Sequence, residues 1–470
     1  MATSRSGLQV PLPAGTILLA GCDGADAVNP RRRVLQTIGA ALTGTVLPVP
    51  GHARAGNGRN AAERAGLAAD HGAGHSAARA GAVPPAGRFA LAATWQDGTG
   101  YFVGVLVPAA GKLEPLSRQR LPTRAHGIAV EEGGTVLVAA RRPGDWLVRF
   151  DPRRGELRNW FWSDGEHSFN GHVVRSADGR RLFTTETAIE TGEGSVAVRD
   201  RDSLSALARW PTAGKDPHEL VLGPEGGLWV ANGGLETRQE TGRTKHHLDR
   251  MDSSLVRLDA GSGRITGQWR LADPRLGLRH IAVAGDGSLA IALQAEHDDP
   301  EVREAAPVLA LWDRRRGLRA VDLPPQTQLA GYGGSVAVSA DEVAVGCPRA
   351  GLVARWRLSA GDSRWQAPLE LPEACATAAG WHGGAGWAVH AFQVSGDVSD
   401  GSHSSNGSHG SNGSRSSNGS RSSNGSNGGD NKQSGDSVVE RLQVPDTIRL
   451  DNHWALVDRA APGGVLPARA

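Results

Sequence analysis

The sequence predicts an all-β fold, a seven-bladed β-propeller closed by pairing of the N- and C-terminal strands. Three observations predict it. Short apolar segments come in groups of four, the groups recur along the chain, and histidine opens most of them. Four-stranded units repeating every ~40–50 residues are the signature of a propeller, in which each small sheet buries its faces against its neighbours. Glycine, at 64 of 470 residues, is about twice as frequent as usual and supplies the tight turns that so many short strands need.

The groups can be read in order. His126–Val130 is followed by Thr135–Ala140, Trp146–Asp151 and Glu156–Trp160. His172–Ser176 leads Arg181–Thr185, Ser195–Asp200 and Ala206–Trp210. His218–Leu222 leads Gly227–Ala231, Ser254–Asp259 and Ile265–Trp269, and His280–Val283 leads Ser288–Ala292, Val308–Asp313 and Leu318–Val321. The group starts at 126, 172, 218 and 280 are 46, 46 and 62 residues apart, and the insertion 233–253 explains the long step. Two more groups begin at Ser335 and Cys375. Phe89–Ala93, Phe102–Leu106 and Lys112–Arg118 supply three strands of a last blade, and His453–Val457 supplies the fourth. Joining the chain ends in one blade removes two exposed sheet edges at once.

The propeller is expected over 87–460. Residues 1–55 read as an export signal: Arg31-Arg32 precede the apolar Val34-Leu35 and Thr37–Val49, and Ala53-Arg54-Ala55 offers a cleavage site. This predicts export by the twin-arginine translocase to the periplasm. A competing lipobox, Leu19–Cys22, would instead anchor the protein to the membrane through acylated Cys22. Residues 56–86 read as a disordered leader, 395–436 as a low-complexity Ser/Asn/Gly insert and 461–470 as a tail. The net charge of +2, from 51 basic and 49 acidic residues, excludes nucleic-acid binding driven by bulk charge. No apolar run reaches the ~20 residues of a spanning helix.

The first strand of each propeller blade lines the central channel, so equivalent positions at the strand starts converge on one mouth. Those positions are His453, His126, His172, His218 and His280, then Gly334-Ser335 and Cys375. Five of the chain's 16 histidines at one repeat position is a concentration that calls for a cause. The second-strand ends predict a wider polar ring of Arg141-Arg142, Glu186, Asn232, Gln294 with Glu296, and Cys347, with Cys375 beside it, and a disulfide or thiolate ligand there is geometrically open. Three readings follow from the residues. The histidines bind a transition metal, imidazole being the commonest ligand for zinc, copper, nickel and iron; or they bind an anionic ligand with Arg124 and Arg279; or they anchor their blades by bonding loop carbonyls, with no cofactor. Strand alternation places Glu219 opposite His218, in a packing role. No nucleophile elbow, phosphate loop or dinucleotide fingerprint is present, so no catalytic residue is assigned.

Phe169–His172, Thr184–Glu186, Asp216–Leu220, Trp229–Gly234, Leu248-Asp249 and Arg279–Ala282 together resemble the bacterial domain of unknown function 1513. The resemblance implies a twin-arginine-exported, seven-bladed periplasmic propeller. It also implies periplasmic iron-uptake partners, because such proteins are often encoded beside imelysin-type proteins. The function so read is an exported metal-binding or iron-acquisition accessory protein, and the resemblance implies iron or copper ahead of zinc as the metal. The alternatives are a metal-assisted enzyme of lactonase or oxidoreductase type and a protein-binding scaffold.

Overall fold

In the computed structural model, the described residues are 89–458 except 132, 238–243, 340, 360–361, 379–380, 384–386 and 394–436. The expected signal peptide, leader, Ser/Asn/Gly insert and tail all lie outside them.

Strands follow one another with little between them. The first three are β1 (Phe89–Asp97), β2 (Gly100–Ala109) and β3 (Lys112–Leu121). The next four are β4 (Ala125–Val130), β5 (Val136–Ala140), β6 (Trp146–Asp151) and β7 (Glu156–Trp162). Then come β8 (His167–Arg175), β9 (Arg181–Ala188), β10 (Glu193–Asp200) and β11 (Ala206–Lys215). The following sheet uses β12 (Pro217–Leu222), β13 (Gly227–Asn232), β16 (Ser254–Asp259) and β17 (Ile265–Trp269), with the small ribbon β14 (Glu236–Thr237) and β15 (Lys245–His246) inserted. Next are β18 (Leu276–Val283), β19 (Leu289–Ala295), β20 (Leu309–Asp313) and β21 (Gly317–Ala320), then β22 (Ser335–Ser339), β23 (Glu342–Cys347), β24 (Leu352–Ser359) and β25 (Asp362–Glu370). The last are β26 (Ala376–Ala378), β27 (Trp381–Gly383), β28 (Trp387–Gln393), β29 (Ser437–Gln443) and β30 (Arg449–Asp458).

The fold is an all-β propeller. Among the described residues there are six large sheets, which corrects the expected seven separate ones: five have four strands, and one has eight in the order β26-β27-β28-β29-β3-β2-β1-β30. The cause is local. Gln443 at the end of β29 pairs in parallel with Lys112 at the start of β3, and this one contact fuses two neighbouring outer strands. The chain ends do meet, because β30 runs antiparallel to β1, with Leu456 opposite Leu91 and Val457 opposite Ala90.

The core lies between sheets. Trp229 and Leu255 of one sheet pack with Leu289, Ile291 and Trp312 of the next, and Ala290 and Ala292 of that sheet pack with Val343, Val345 and Trp356. Middle strands are covered on both faces, which is why β5, β6, β13 and β19 are buried along their whole length and read as nearly continuous apolar runs. The outermost strands face solvent, and β25 is polar and largely uncovered. The innermost strands neighbour one another in the cyclic order β30, β4, β8, β12, β18, β22, β26 and back to β30.

Closure should therefore carry much of the stability. Trp454 on β30 is buried with Leu91, Trp95 and Leu450. Trp454→Ala is expected to destabilise by about 3–5 kcal/mol, the usual range for a buried tryptophan. Leu207→Ala on exposed β11 should change stability by less than about 0.5 kcal/mol. Urea unfolding of the two variants checks this, and equal midpoints would refute it.

Candidate functional site

Five innermost strands share one distortion. In β4, residues 126–127 stand opposite the single Ala139 between two paired positions. In β12, residues 218–219 stand opposite Ala231, and in β18, residues 279–280 stand opposite Ala292. In β8, residues 170–172 face one residue, Thr185, and in β30, residues 451–453 face Thr94. Each is a β-bulge, which bends the strand and re-aims its side chains. Each contains one of the five histidines. β22 and β26 pair without any shift and carry none; there Ser335 and Thr377 bond to each other at 3.0 Å.

The bulges bring the imidazoles into contact around the axis. Ring centroids of His126 lie 4.8 Å from His172, 5.3 Å from His218, 5.8 Å from His280 and 4.7 Å from His453. Such proximity needs backbones without side chains. A Cβ on Gly127 would sit 2.2 Å from the Gly171 carbonyl oxygen, and one on Gly171 would sit 2.7 Å from His126 Cδ2. The Asn-Gly-His and His-Gly pairings of the sequence are thus a steric requirement of the cluster.

One nitrogen from each of His126, His172, His280 and His453 forms a group whose members all lie within 4.8 Å of one another. His126 Nε2, His172 Nε2, His218 Nδ1 and His453 Nε2 are buried and make no hydrogen bond. Burial holds the His126, His172, His218 and His453 imidazoles well below their ordinary value, the neighbouring rings or Arg279 adding to the effect. Burial, with Arg279 and Arg142, takes His280 down to about 3. The nest is therefore neutral at physiological pH, and a neutral imidazole is the form that ligates a metal.

Glu219 is not where alternation puts it. The bulge at 218–219 turns both residues toward the axis region. Glu219 lies 3.5 Å from His172 Nδ1 and 3.2 Å from His280 Nδ1, and it accepts from the Ile281 amide at 2.9 Å. A carboxylate behind two histidines fixes their tautomer and leaves Nε2 for a ligand.

A second network flanks the first. Asp216, fully buried, accepts from Arg142 and, at 2.7 Å, from Arg279. Arg279 also donates to Gln294 Oε1 at 3.0 and 2.9 Å. Gly233 makes room for this, since a Cβ there would lie 2.4 Å from Asp216 Oδ2. Above lies a cavity of about 20 Å³ lined in part by Arg141, Arg142, Arg279, His218, Tyr332 and Asn452. Lys245, from the inserted ribbon, donates to Glu296 at 2.5 and 2.7 Å on the neighbouring blade.

The structure brings together His126, His172, His218, His280 and His453, with Arg141, Arg142 and Gln294 of the expected wider ring beside them. It does not bring the others there. Asn232 donates to the Thr212 carbonyl and Ser254 Oγ, tying blades together. The Glu186 carboxylate is taken up by Arg199 and Arg209. Cys347 is buried in an apolar cluster, which pushes its thiol up to about 12, and Cys375 faces the Leu450 and Asp451 carbonyls. Neither Cys347 nor Cys375 is in a disulfide. Arg124 is held by Asp451 at 2.5 Å. Sequence reasoning gave no site role to Asp216, Tyr332 and Asn452. Asp216 had a signal, its place two residues before His218; Tyr332 and Asn452 had none.

The family described as a protein of unknown function, DUF1513, matches residues 119–457. No curated protein matches the chain. Among solved structures, the chain is similar to hydrazine synthase of Kuenenia stuttgartiensis, with TM-score 0.44 and 15% identity over 61% of this chain and 87% of that one. It is similar to the Dos1 propeller, with TM-score 0.40 and 12% identity over 62% and 72%. It is also similar to the periplasmic gluconolactonase PpgL of Pseudomonas aeruginosa, with TM-score 0.36 and 18% identity over 61% and 97%.

The depressed imidazoles predict acid sensitivity. An unfolded chain takes up protons near the ordinary histidine value of about 6.5, whereas the folded nest excludes them down to about 3 at His280. Acid therefore favours the unfolded state, and stability is lost as pH falls below about 6.5, by up to about 1.4 kcal/mol per pH unit for each excluded proton. In chelator-treated protein the urea midpoint should drop from pH 7.5 to pH 5. The drop should be shallower in His126→Gln/His453→Gln; equal slopes would refute the assignment.

Proposed function

The chain belongs to the DUF1513 family, and we propose that it is an exported metal-binding protein whose histidine nest holds copper or iron. One observation carries the reading: His126, His172, His280 and His453 each offer one ring nitrogen to a single group, and His126, His172 and His453 each have a buried ring nitrogen with no hydrogen bond. A buried polar atom left unmade costs about 1–3 kcal/mol, so several together call for a ligand. Imidazole suits copper, iron, nickel and zinc alike, and copper(II) heads the affinity order. Ligand nitrogens on a metal with bonds of about 2.1 Å lie no more than about 4.2 Å apart. The 4.8 Å limit of the group thus asks for a contraction of a few tenths of an ångström.

Glu219 would hold His172 and His280 in the tautomer that presents Nε2. We read the eight-stranded sheet as two four-stranded blades meeting at the Gln443–Lys112 bridge, which sets seven innermost strands around the metal. The Arg31-Arg32 signal supports a periplasmic location. Twin-arginine export carries folded proteins, so loading before export fits this reading. An accessory role in iron acquisition rests on the family resemblance.

Elemental analysis of untagged protein should find near-stoichiometric copper or iron, as purified or after incubation with the ion. His126→Gln/His453→Gln should carry none. Glu219→Gln should fold normally and bind about 10–100-fold more weakly, the usual effect of losing a carboxylate behind a ligand. Wild-type protein that takes up no metal in either condition would sink the proposal.

A further inference from the structure

We propose that the metal of the nest keeps one exchangeable position toward the mouth, filled by water or a neutral molecule of similar size, and that His218 holds this molecule by a hydrogen bond. The inference rests on the metal reading above and goes a step past it. A structural metal site is closed by protein ligands alone, whereas a site that acts on a small molecule keeps a position open.

The mouth cavity reaches the nest itself. His126 and His280, two of the four histidines whose nitrogens group within 4.8 Å, are among its lining residues, and so is His218. Its volume of about 20 Å³ exceeds the ~10–15 Å³ that one water needs. Gln294, Tyr332 and Asn452 make its wall polar beside the imidazoles, and a polar space of this size holds water where an apolar one stays dry. Acids accompany the arginines around it. Asp216 accepts from Arg142 and Arg279, and Glu219 stands beside His280. A neutral occupant suits such a setting.

His218 is the histidine that the metal group leaves over. It lies outside the four-nitrogen group, yet its ring centroid is 4.7 Å from His280, 5.1 Å from His172 and 5.3 Å from His126. The residue is only 6% exposed, and its Nδ1 makes no hydrogen bond. One ion on the other four rings does nothing for this nitrogen, and a buried polar atom left unmade is destabilising. Burial keeps the ring neutral. A neutral imidazole offers one donor and one acceptor nitrogen, so His218 can bond to a water in the mouth whichever nitrogen carries the proton.

Electron paramagnetic resonance tests this on full-length protein loaded with the copper(II) or iron(III) it takes up, in water enriched in a magnetic oxygen isotope. Such a water on the metal broadens its resonance lines, and a site closed by protein nitrogens shows no broadening. Elemental analysis of the same samples reads the metal content. Wild-type protein should take up metal and show the broadening. His218→Gln, whose amide still forms hydrogen bonds, should keep it. His218→Phe removes both ring nitrogens, and the net worth of one hydrogen bond makes the loss about two- to tenfold in the water's affinity, read as weaker broadening. Metal uptake without broadening in the wild type overturns the proposal and leaves the metal reading standing, and this spectrum decides the matter even where a variant does not fold. Equal broadening in all three proteins overturns the role of His218. Wild-type protein that takes up neither ion overturns the metal reading and the proposal with it.

Discussion

The site depends on one backbone constraint, the β-bulge repeated in β4, β8, β12, β18 and β30. A regular strand alternates its side chains, so an innermost strand can offer the axis only every second residue. A bulge suspends that rule for two or three residues. Here those residues are His126-Gly127, Asn170–His172, His218-Glu219, Arg279-His280 and Asp451–His453. They include every ring histidine, the Glu219 carboxylate behind two of them, and the Arg279 and Asn452 of the mouth. Where the bulge is absent, in β22 and β26, the axis is met by Ser335 and Thr377, and the two hydroxyls satisfy each other. Chemistry and backbone irregularity thus coincide strand by strand.

The same geometry sorts charge. Glu219 faces His172 and His280, while Arg142 and Arg279 share Asp216. The segment Asp216–Glu219 carries both acids within four residues, with His218 between them. Asp216 takes a left-handed φ of 53°, uncommon for a residue other than glycine. One short stretch at the start of β12 therefore supplies both the carboxylate that faces His172 and His280 and the partner of the arginines.

The architecture was legible because repetition is visible in one dimension. Four strands per unit and a histidine at each unit start are periodic facts, and they placed all five ring histidines at one locus. The eight-stranded sheet was not legible, since it arises from the contact of Gln443 with Lys112, residues far apart in the chain. The wider ring was only partly legible for a different reason. Polar residues at second-strand ends look alike in sequence, but Asn232 bonds to Thr212 and Ser254 and Glu186 binds Arg199 and Arg209. Of the expected ring, Arg141, Arg142 and Gln294 reach the mouth. Glu219 was misplaced because alternation was assumed through a bulge that no local pattern announces.

Stability alone does not account for the nest. β22 and β26 show that this axis can be closed by a hydroxyl pair with its hydrogen bond made. The other five strands instead bury neutral imidazoles, four of them with a nitrogen unpartnered. Each such atom costs about 1–3 kcal/mol, and the glycines at 127 and 171 that admit the rings give up the β-propensity of larger residues. A small polar or apolar side chain at each position would relieve all of these penalties at once. Blade anchoring by itself leaves those nitrogens without a bond, and this is the observation on which the proposed metal site rests. A single metal ion, as proposed, would engage four imidazole nitrogens that lie within 4.8 Å of one another.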